Sequence, residues 1–163
     1  MPETNATDNK PTLTYTIRQA NEADLSAIQN LLQPYVTAGK LLKRTRAELL
    51  TLIGNGFVAE AIDAHGKPVI VGFSAVEIYS RKLSEVQCLA VSDGYQGHGI
   101  GSGLVRACVE RARERGVLEV MAISASDNFL RNLGFDYSLP DQKRALFYQL
   151  KTREQLFSET DDE

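Results

Sequence analysis

A glycine-rich loop near the middle of the chain contains the residues best suited to binding chemistry. Gly94, Gly97, Gly99 and Gly101 fall within eight residues, and Gly103 follows two residues later. This density predicts a loop rather than the interior of a helix or strand. Glycines also remove the Cβ atoms that would hold a ligand away from backbone N–H groups.

A helix is predicted directly after this loop and ends at Gly116. Its apolar stripe consists of Leu104, Val105, Cys108, Val109 and Ala112. The first N–H groups of a helix lack intrahelical partners and lie at the positive end of its dipole. Loop and helix together predict a phosphate or pyrophosphate site.

Two common nucleotide-binding motifs are disfavoured by the same residues. The loop lacks the Lys-Ser/Thr pair that ends a P-loop, which argues against a nucleoside triphosphatase. Its glycines read G-x-G-x-G rather than G-x-G-x-x-G, and no βαβ unit surrounds them, which argues against a Rossmann dinucleotide site.

The remaining elements are predicted from apolar spacing, caps and turn signals. Val86–Val91 is a buried strand ahead of the loop. Asn21 caps a first helix that Pro34 ends or bends, and Thr45–Glu48 is a capping box for a helix to about Ile53. Further strands are predicted at Leu13–Arg18, Phe57–Ile62, Val69–Tyr79, Glu119–Ser124, Phe135–Tyr137 and Ala145–Gln149, and a short helix at Asp127–Leu133.

Length and composition predict one globular domain. The 163 residues allow one sizeable core, assigned to residues 13–153, with a disordered lead at 1–12 and an acidic frayed tail at 154–163. A net charge of −3 gives no electrostatic case for nucleic acid or an anionic membrane. Cys88 and Cys108 form no disulfide framework or metal cluster and are predicted to be core thiols in a cytoplasmic protein.

The loop resembles the pyrophosphate loop of the GCN5-related N-acetyltransferase (GNAT) superfamily. Gln96–Gly101 is similar to its Q/R-x-x-G-x-G/A motif, and the likeness extends from about Tyr15 to Gln149. The resemblance implies an α/β fold: a mixed, mostly antiparallel sheet of six to seven strands flanked by about four helices. It implies acetyl-CoA as co-substrate and no metal. The implied coenzyme-binding residues are Cys88, Leu89, Ala90, Val91, Gln96, Gly97, His98, Gly99, Ile100, Gly101, Ser102 and Gly103.

Three further segments resemble the acetyltransferase domain of N-acetylglutamate synthase. Leu41–Leu49 looks like its L-[VL]-x-R-[ST]-x-x-x-L segment, and Glu85–Val91 like its E-x-x-C-[VL]-A-V strand. Leu139–Lys143 and Tyr148–Gln149 look like its L-P-x-x-K and Y-x-Y-Q ending. The resemblance implies acetyl transfer to the α-amine of glutamate, at the entry to arginine biosynthesis.

The chain also departs from these relatives. Leu150 stands where the synthase has a substrate-binding Arg, Thr152 where it has Ser, and Leu130 where the superfamily places a Tyr acid. No amino-acid-kinase domain precedes this one in the sequence, so any arginine feedback is expected to come from elsewhere. The sequence therefore supports acetyl transfer more strongly than it supports glutamate as the acceptor.

Catalysis of this reaction needs a base for the acceptor ammonium and a proton for the departing thiolate. Glu85 is the candidate base, and a solvated strand-end carboxylate is the alternative. Ser124 is the candidate proton donor, although a strand-end serine without a role fits equally well. A backbone N–H near Cys88 or Leu89 is the candidate oxyanion donor. Cys88 is disfavoured as a nucleophile because no His lies in its motif.

A glutamate acceptor carries two carboxylates, so basic side chains are the candidates for binding it. Arg44 is the first candidate because its planar fork binds carboxylates bidentately. Lys43 and Lys143 are further candidates, against the alternative that each is a solvated surface cation. His98 is either a phosphate contact or a tolerated loop residue.

The sequence therefore predicts an acetyl-CoA-dependent N-acetyltransferase acting on L-glutamate by direct attack in a ternary complex. A transferase for another amino acid or small amine is the alternative within enzymes, and a coenzyme A-binding sensor without turnover is the alternative outside them. The expected partner is a small-molecule acceptor, with no nucleic acid and no membrane; a homodimer is compatible with the sequence.

Overall fold

The computed structural model describes residues 13–137, 145–152 and 154–155. The predicted lead at 1–12, the candidate Lys143 and residues 156–163 of the predicted tail lie outside this part of the chain. The predicted domain boundaries therefore remain predictions.

Five strands and four α-helices make up the described fold. The strands are β1 (Tyr15–Gln19), β2 (Gly56–Ile62), β3 (Pro68–Ile78), β4 (Leu83–Val91) and β5 (Glu119–Met121), and the helices are α1 (Leu25–Thr37), α2 (Arg46–Ile53), α3 (Ile100–Glu114) and α4 (Asp127–Asn132).

The sheet has the order β1-β2-β3-β4-β5. Its first four strands pair antiparallel, whereas β5 pairs parallel to β4. The predicted α/β class and mixed, mostly antiparallel sheet are confirmed. The strand number differs, because the described residues contain five strands rather than six or seven.

The missing strands are the predicted final hairpin. Phe135–Tyr137 and Ala145–Gln149 carry no strand in the structure. Leu146 and Tyr148 are 92% and 89% exposed, so neither packs on a sheet face. Seven residues separate the two segments in sequence, more than the two-residue loops that fix the register of a tight hairpin.

Helices cover both faces of the sheet. One core cluster joins α1 and α2 to β3 and β4, with Phe73 fully buried at its centre. On the opposite face, Ile100, Leu104 and Cys108 of α3 pack on β2, β3 and β4. This three-layer packing removes the apolar stripe of each helix from water, the main driving force for the fold.

Local sequence signals set most helix boundaries. Thr45 caps α2 and Glu48 completes the predicted capping box. Asn21 caps a short 3₁₀ turn that leads into α1. The prediction for Pro34 is wrong as a stop, because α1 continues to Thr37. Only one backbone bond is lost at a proline, and the buried Leu31 and Leu32 hold the helix on the sheet.

An ion-pair network fixes the start of α1 to the sheet. Arg18 of β1 donates two hydrogen bonds of 2.8 Å to the buried Asp24 carboxylate and one of 3.1 Å to Glu60 of β2. The hydrogen bonds from Arg18 hold the pKa of Asp24 below its usual range. This stabilisation is present at neutral pH and is lost as pH falls through the lowered pKa.

We expect Gly103→Ala to destabilise the fold because of one steric clash. A Cβ on Gly103 would lie 2.4 Å from Cδ1 of Ile17 on β1. Overpacking of this kind costs about 1–3 kcal/mol, and a shift of the terminal Ile17 methyl and the helix preference for Ala over Gly, about 1 kcal/mol, offset part of that cost. Because Ile17→Val removes Cδ1, the double variant should recover most of the loss relative to Gly103→Ala in thermal or urea unfolding. Additive losses in the double variant would contradict this packing account.

Candidate active site

Two neighbouring cavities flank the C-terminal half of β4. The first has a volume of about 470 Å³ and lies beside the glycine loop. The second, of about 580 Å³, lies beside the segment between α1 and α2. Leu89 and Phe129 line both cavities. Ligands in the two spaces would meet at this common wall.

The first cavity is built on the glycine loop and the N-terminus of α3. Gly97 and Gly99 have φ values of +79° and +82°, and Gly99 is the N-cap of α3. The first intrahelical bond runs from the Gly103 N–H to the Gly99 carbonyl, at 3.0 Å. The N–H groups of Ile100, Gly101 and Ser102 precede it, so they have no intrahelical acceptor. This geometry fits the phosphate groups of coenzyme A.

Most of the predicted coenzyme residues line this first cavity. They are Leu89, Ala90, Val91, Gln96, Gly97, Gly99, Ile100, Gly101 and Ser102. Three do not line it: Cys88 lines the second cavity, Gly103 faces Ile17, and His98 makes bonds within the loop. The Nδ1 atom of His98 lies 2.9 Å from the Gln96 carbonyl, and the His98 carbonyl accepts from the Tyr15 hydroxyl at 3.2 Å.

Three aromatic residues that line this cavity are not among the site residues predicted from the sequence: Tyr35, Tyr95 and Phe129. The Tyr35 hydroxyl donates to the Val91 carbonyl. Gln96 Nε2 donates to the same carbonyl at 3.1 Å and to the Tyr35 hydroxyl at 3.2 Å. Tyr35 follows Pro34 on α1, and nothing in its local pattern indicates a contact 56 residues away.

A β-bulge in β4 forms the wall between the loop and the second cavity. Phe73 of β3 lies opposite Ala90, but Ala75 lies opposite Gln87, so Ser74 faces both Cys88 and Leu89. Cys88 has a φ of +57°, in the left-handed region. The Ser74 hydroxyl donates to the Gln87 carbonyl at 3.1 Å. A bulge leaves ladder groups unpaired, as the predicted oxyanion donor near Cys88–Leu89 requires.

The second cavity brings together three of the predicted catalytic and acceptor-binding residues. Arg44, Glu85 and Ser124 all line it. Lys43, predicted with them, does not line the cavity. Leu130 lines the cavity and is 9% exposed, so the position of the superfamily Tyr acid is occupied by an apolar side chain. Leu150 is 86% exposed.

Arg44 enters the second cavity from the segment ahead of α2. Its Nη2 donates to Gln87 Oε1 at 2.7 Å. Within the described residues, its Nε is buried without a hydrogen-bond partner. Burial raises the pKa of the neighbouring Cys88 thiol, and the Arg44 charge opposes that shift. A half-buried guanidinium with one buried, unsatisfied donor favours an anionic ligand.

Glu85 belongs to a hydrogen-bonded group on β3 and β4. Its Oε2 accepts from the Tyr79 hydroxyl at 2.5 Å and from Gln87 Nε2 at 3.2 Å. Gln87 Nε2 also lies 3.0 Å from Oε2 of Glu77, which faces Glu85 across the two strands. Burial and the Glu85 carboxylate raise the pKa of Tyr79, so its hydroxyl remains a donor at neutral pH.

Ser124 lies past the end of β5, which stops at Met121 rather than at the predicted Ser124. Its Oγ donates to the Ser126 carbonyl at 3.0 Å and accepts from the Ser126 N–H at 3.0 Å. The hydroxyl therefore closes a turn at the edge of the second cavity. In this conformation its proton is engaged in that turn.

The described residues lack two features that mark other classes of protein. No group of three or more His, Cys, Asp or Glu side chains is arranged there to hold a metal ion. No helix in that part of the chain is long and apolar enough to cross a membrane.

We expect Gly99→Ala to weaken coenzyme A binding by about tenfold, equivalent to about 1.4 kcal/mol, because an L-residue at φ +82° displaces the loop amides. Gly66→Ala is the matched control, with φ +77° in the β2–β3 turn and open space around the new Cβ. Titration calorimetry with coenzyme A should separate the two variants. Equal affinities would contradict the assignment of the loop as the phosphate site.

Comparisons with known proteins agree with this geometry. The acetyltransferase (GNAT) family model matches residues 25–135. An amino-acid acetyltransferase of Mycobacterium tuberculosis is 32% identical over 120 residues, covering 73% of this chain and 67% of that protein.

Two similar solved structures contain coenzyme A. A Mycobacterium tuberculosis protein in complex with CoA has a TM-score of 0.67 at 27% identity, covering 91% of this chain and 82% of that one. N-acetylglutamate synthase from Neisseria gonorrhoeae, complexed with coenzyme A and N-acetyl-glutamate, has a TM-score of 0.62 at 28% identity. That match covers 73% of this chain and only 27% of the synthase. The chain belongs to the acetyltransferase (GNAT) family and is an acyltransferase that uses acetyl-CoA.

Proposed function

We propose that this chain transfers the acetyl group of acetyl-CoA to the α-amine of L-glutamate by direct attack in a ternary complex. The observation that carries the proposal is the common wall of the two cavities at Leu89 and Phe129. We assign the cavity beside the glycine loop to the coenzyme, and the other cavity is lined by a carboxylate and a guanidinium, Glu85 and Arg44.

Glu85 is proposed to take the proton that the acceptor ammonium must lose before its nitrogen can attack. The nitrogen then bonds to the thioester carbonyl carbon. A backbone N–H at the Cys88–Leu89 bulge stabilises the oxyanion. Collapse breaks the carbon–sulfur bond, the new amide nitrogen releases its second proton to water, and the thiolate takes a proton from a donor that water then reprotonates. Ser124 is the proposed donor, and its hydroxyl must first leave the Ser126 carbonyl.

Arg44 is proposed to bind an acceptor carboxylate through its unpartnered Nε and its terminal nitrogens. An amino-acid acceptor is supported by the name of the amino-acid acetyltransferase of Mycobacterium tuberculosis, and glutamate in particular by that of the gonococcal N-acetylglutamate synthase. It would place the reaction at the entry to arginine biosynthesis. Lys143 remains a proposed second contact for the acceptor. Lys43 does not line the cavity.

The first experiment measures coenzyme A thiol release from acetyl-CoA against a panel of free amino acids and simple amines. Turnover confined to glutamate supports the full proposal. Turnover of another amine contradicts the glutamate assignment and leaves acetyl transfer. Tight acetyl-CoA binding without turnover of any acceptor would point to a sensor, or to a protein acceptor.

We expect Glu85→Gln to lower kcat by about 10²- to 10⁴-fold, because the amide cannot take a proton. Coenzyme A affinity should not change. Glu119→Gln is the control, since Glu119 is exposed on β5 and outside both cavities. Steady-state kinetics with the best acceptor checks this, and wild-type kcat in Glu85→Gln would remove Glu85 as the base.

We expect Arg44→Lys to raise KM for glutamate by about tenfold or more, because a charged hydrogen bond contributes about 1.5–3 kcal/mol and lysine lacks the planar fork. KM for acetyl-CoA should stay constant. Arg46→Lys is the matched control, two residues away and exposed. An unchanged KM for glutamate in Arg44→Lys would show that the carboxylate binds elsewhere.

A further inference from the structure

The side-chain amide of Gln87 lies between the Arg44 guanidinium and two carboxylates. Its Oε1 accepts from Arg44 Nη2 at 2.7 Å. Its Nε2 lies 3.0 Å from Glu77 Oε2, 3.1 Å from the Tyr79 hydroxyl and 3.2 Å from Glu85 Oε2. Gln87 therefore hydrogen-bonds both to the acceptor-binding candidate and to the proposed base.

The chemistry of these neighbours fixes the orientation of the amide. A guanidinium only donates hydrogen bonds, and ionised carboxylates only accept them. An amide placed between them must therefore turn its oxygen to Arg44 and its nitrogen to Glu77 and Glu85. Neither a carboxylate nor a thioether at this position satisfies both sides, since the first only accepts and the second barely does either.

The same hydrogen bonds distinguish the two carboxylate oxygens of Glu85. In the described structure both hydrogen bonds to this carboxylate end on Oε2. Tyr79 has a single proton, and its hydroxyl lies closer to Glu85 Oε2, at 2.5 Å, than to Glu77 Oε2, at 3.3 Å. The proton therefore lies toward Glu85, which leaves Oε1 with free lone pairs on a residue that lines the acceptor cavity.

We propose that Gln87 is a positioning residue that couples acceptor recognition by Arg44 to proton transfer by Glu85. The inference rests on the proposed function and adds a residue to its site. Gln87 holds the guanidinium and the carboxylate apart as a neutral spacer and presents Oε1 of Glu85 to the acceptor amine. Tyr79 holds the same carboxylate from the other side.

Removing the amide should therefore impair both partners together. Methionine has nearly the length of glutamine but makes no comparable hydrogen bonds. In Gln87→Met, Arg44 loses its acceptor, Glu85 loses a donor, and the two opposite charges are free to pair directly. Such a pair would use up both the carboxylate-binding cation and the base.

The test is a double-mutant cycle on whichever amine the wild-type chain acetylates best. Gln87→Met should lower kcat about tenfold or more and raise KM for the acceptor, with KM for acetyl-CoA unchanged. In the Glu85→Gln background, the same substitution should change kcat by less than about twofold, because a residue that acts through Glu85 has nothing left to position. Gln33→Met on the exposed face of α1 is the matched control. Thermal unfolding and coenzyme A titration show that each variant is folded.

The outcomes distinguish a failure of the coupling through Gln87 from a failure of the proposed function. Equal fold losses from Gln87→Met in both backgrounds would overturn the coupling while leaving acetyl transfer intact. A wild-type kcat in Gln87→Met would do the same. A wild-type chain that acetylates no free amine would contradict the proposed function first, before any variant is compared, and the coupling with it.

Discussion

The site depends on one irregular position in β4, where Ser74 faces both Cys88 and Leu89 and Cys88 takes a positive φ. Side chains alternate along a regular strand, so Glu85 and Cys88, three residues apart, would point to opposite faces. The extra residue resets the alternation, and both line the acceptor cavity. A left-handed non-glycine residue costs about 1–2 kcal/mol. The hydrogen bond from Ser74 to the Gln87 carbonyl offsets part of that cost and holds the bulge beside the acceptor cavity.

The glycine loop is held in place by contacts with residues that are far from it in the sequence. Tyr35 and Gln96 both bond to the Val91 carbonyl, so the C-terminal part of α1 is tied to the strand end that precedes the loop. The start of α1 is tied to β1 and β2 through Arg18, Asp24 and Glu60. Gly103 lets α3 approach Ile17 closely. Helix α1, the sheet and α3 therefore fix the loop as one unit.

Local and periodic signals predicted most of the fold. The Thr45 capping box, the strand-like runs of β2 and β3 and the turn signal between them depend on neighbours in sequence, and the structure follows them. The glycine loop was identifiable because its spacing carries a chemical requirement. The contacts of Tyr35 and Gln87 were not, since each depends on partners brought close only by the folded sheet. The bulge was missed because Cys88 is neither Gly nor Asn, the residues that usually signal a left-handed backbone. The segment Ala145–Gln149 shows the opposite error: its strand-like pattern predicted a strand that the structure does not contain.

The neutral amide between Arg44 and Glu85 also shapes the electric field of the acceptor cavity. Positive charge lies at one end of the network and the carboxylates of Glu77 and Glu85 at the other, and Gln87 keeps them from neutralising each other. Separated charges of opposite sign act on a zwitterion as a field acts on a dipole, and partial burial weakens screening by salt. We expect this field to orient an amino acid entering the cavity, with its ammonium toward Glu85 and its carboxylate toward Arg44, if the two residues act as proposed. A simple amine has no such dipole, so we expect no comparable alignment of it.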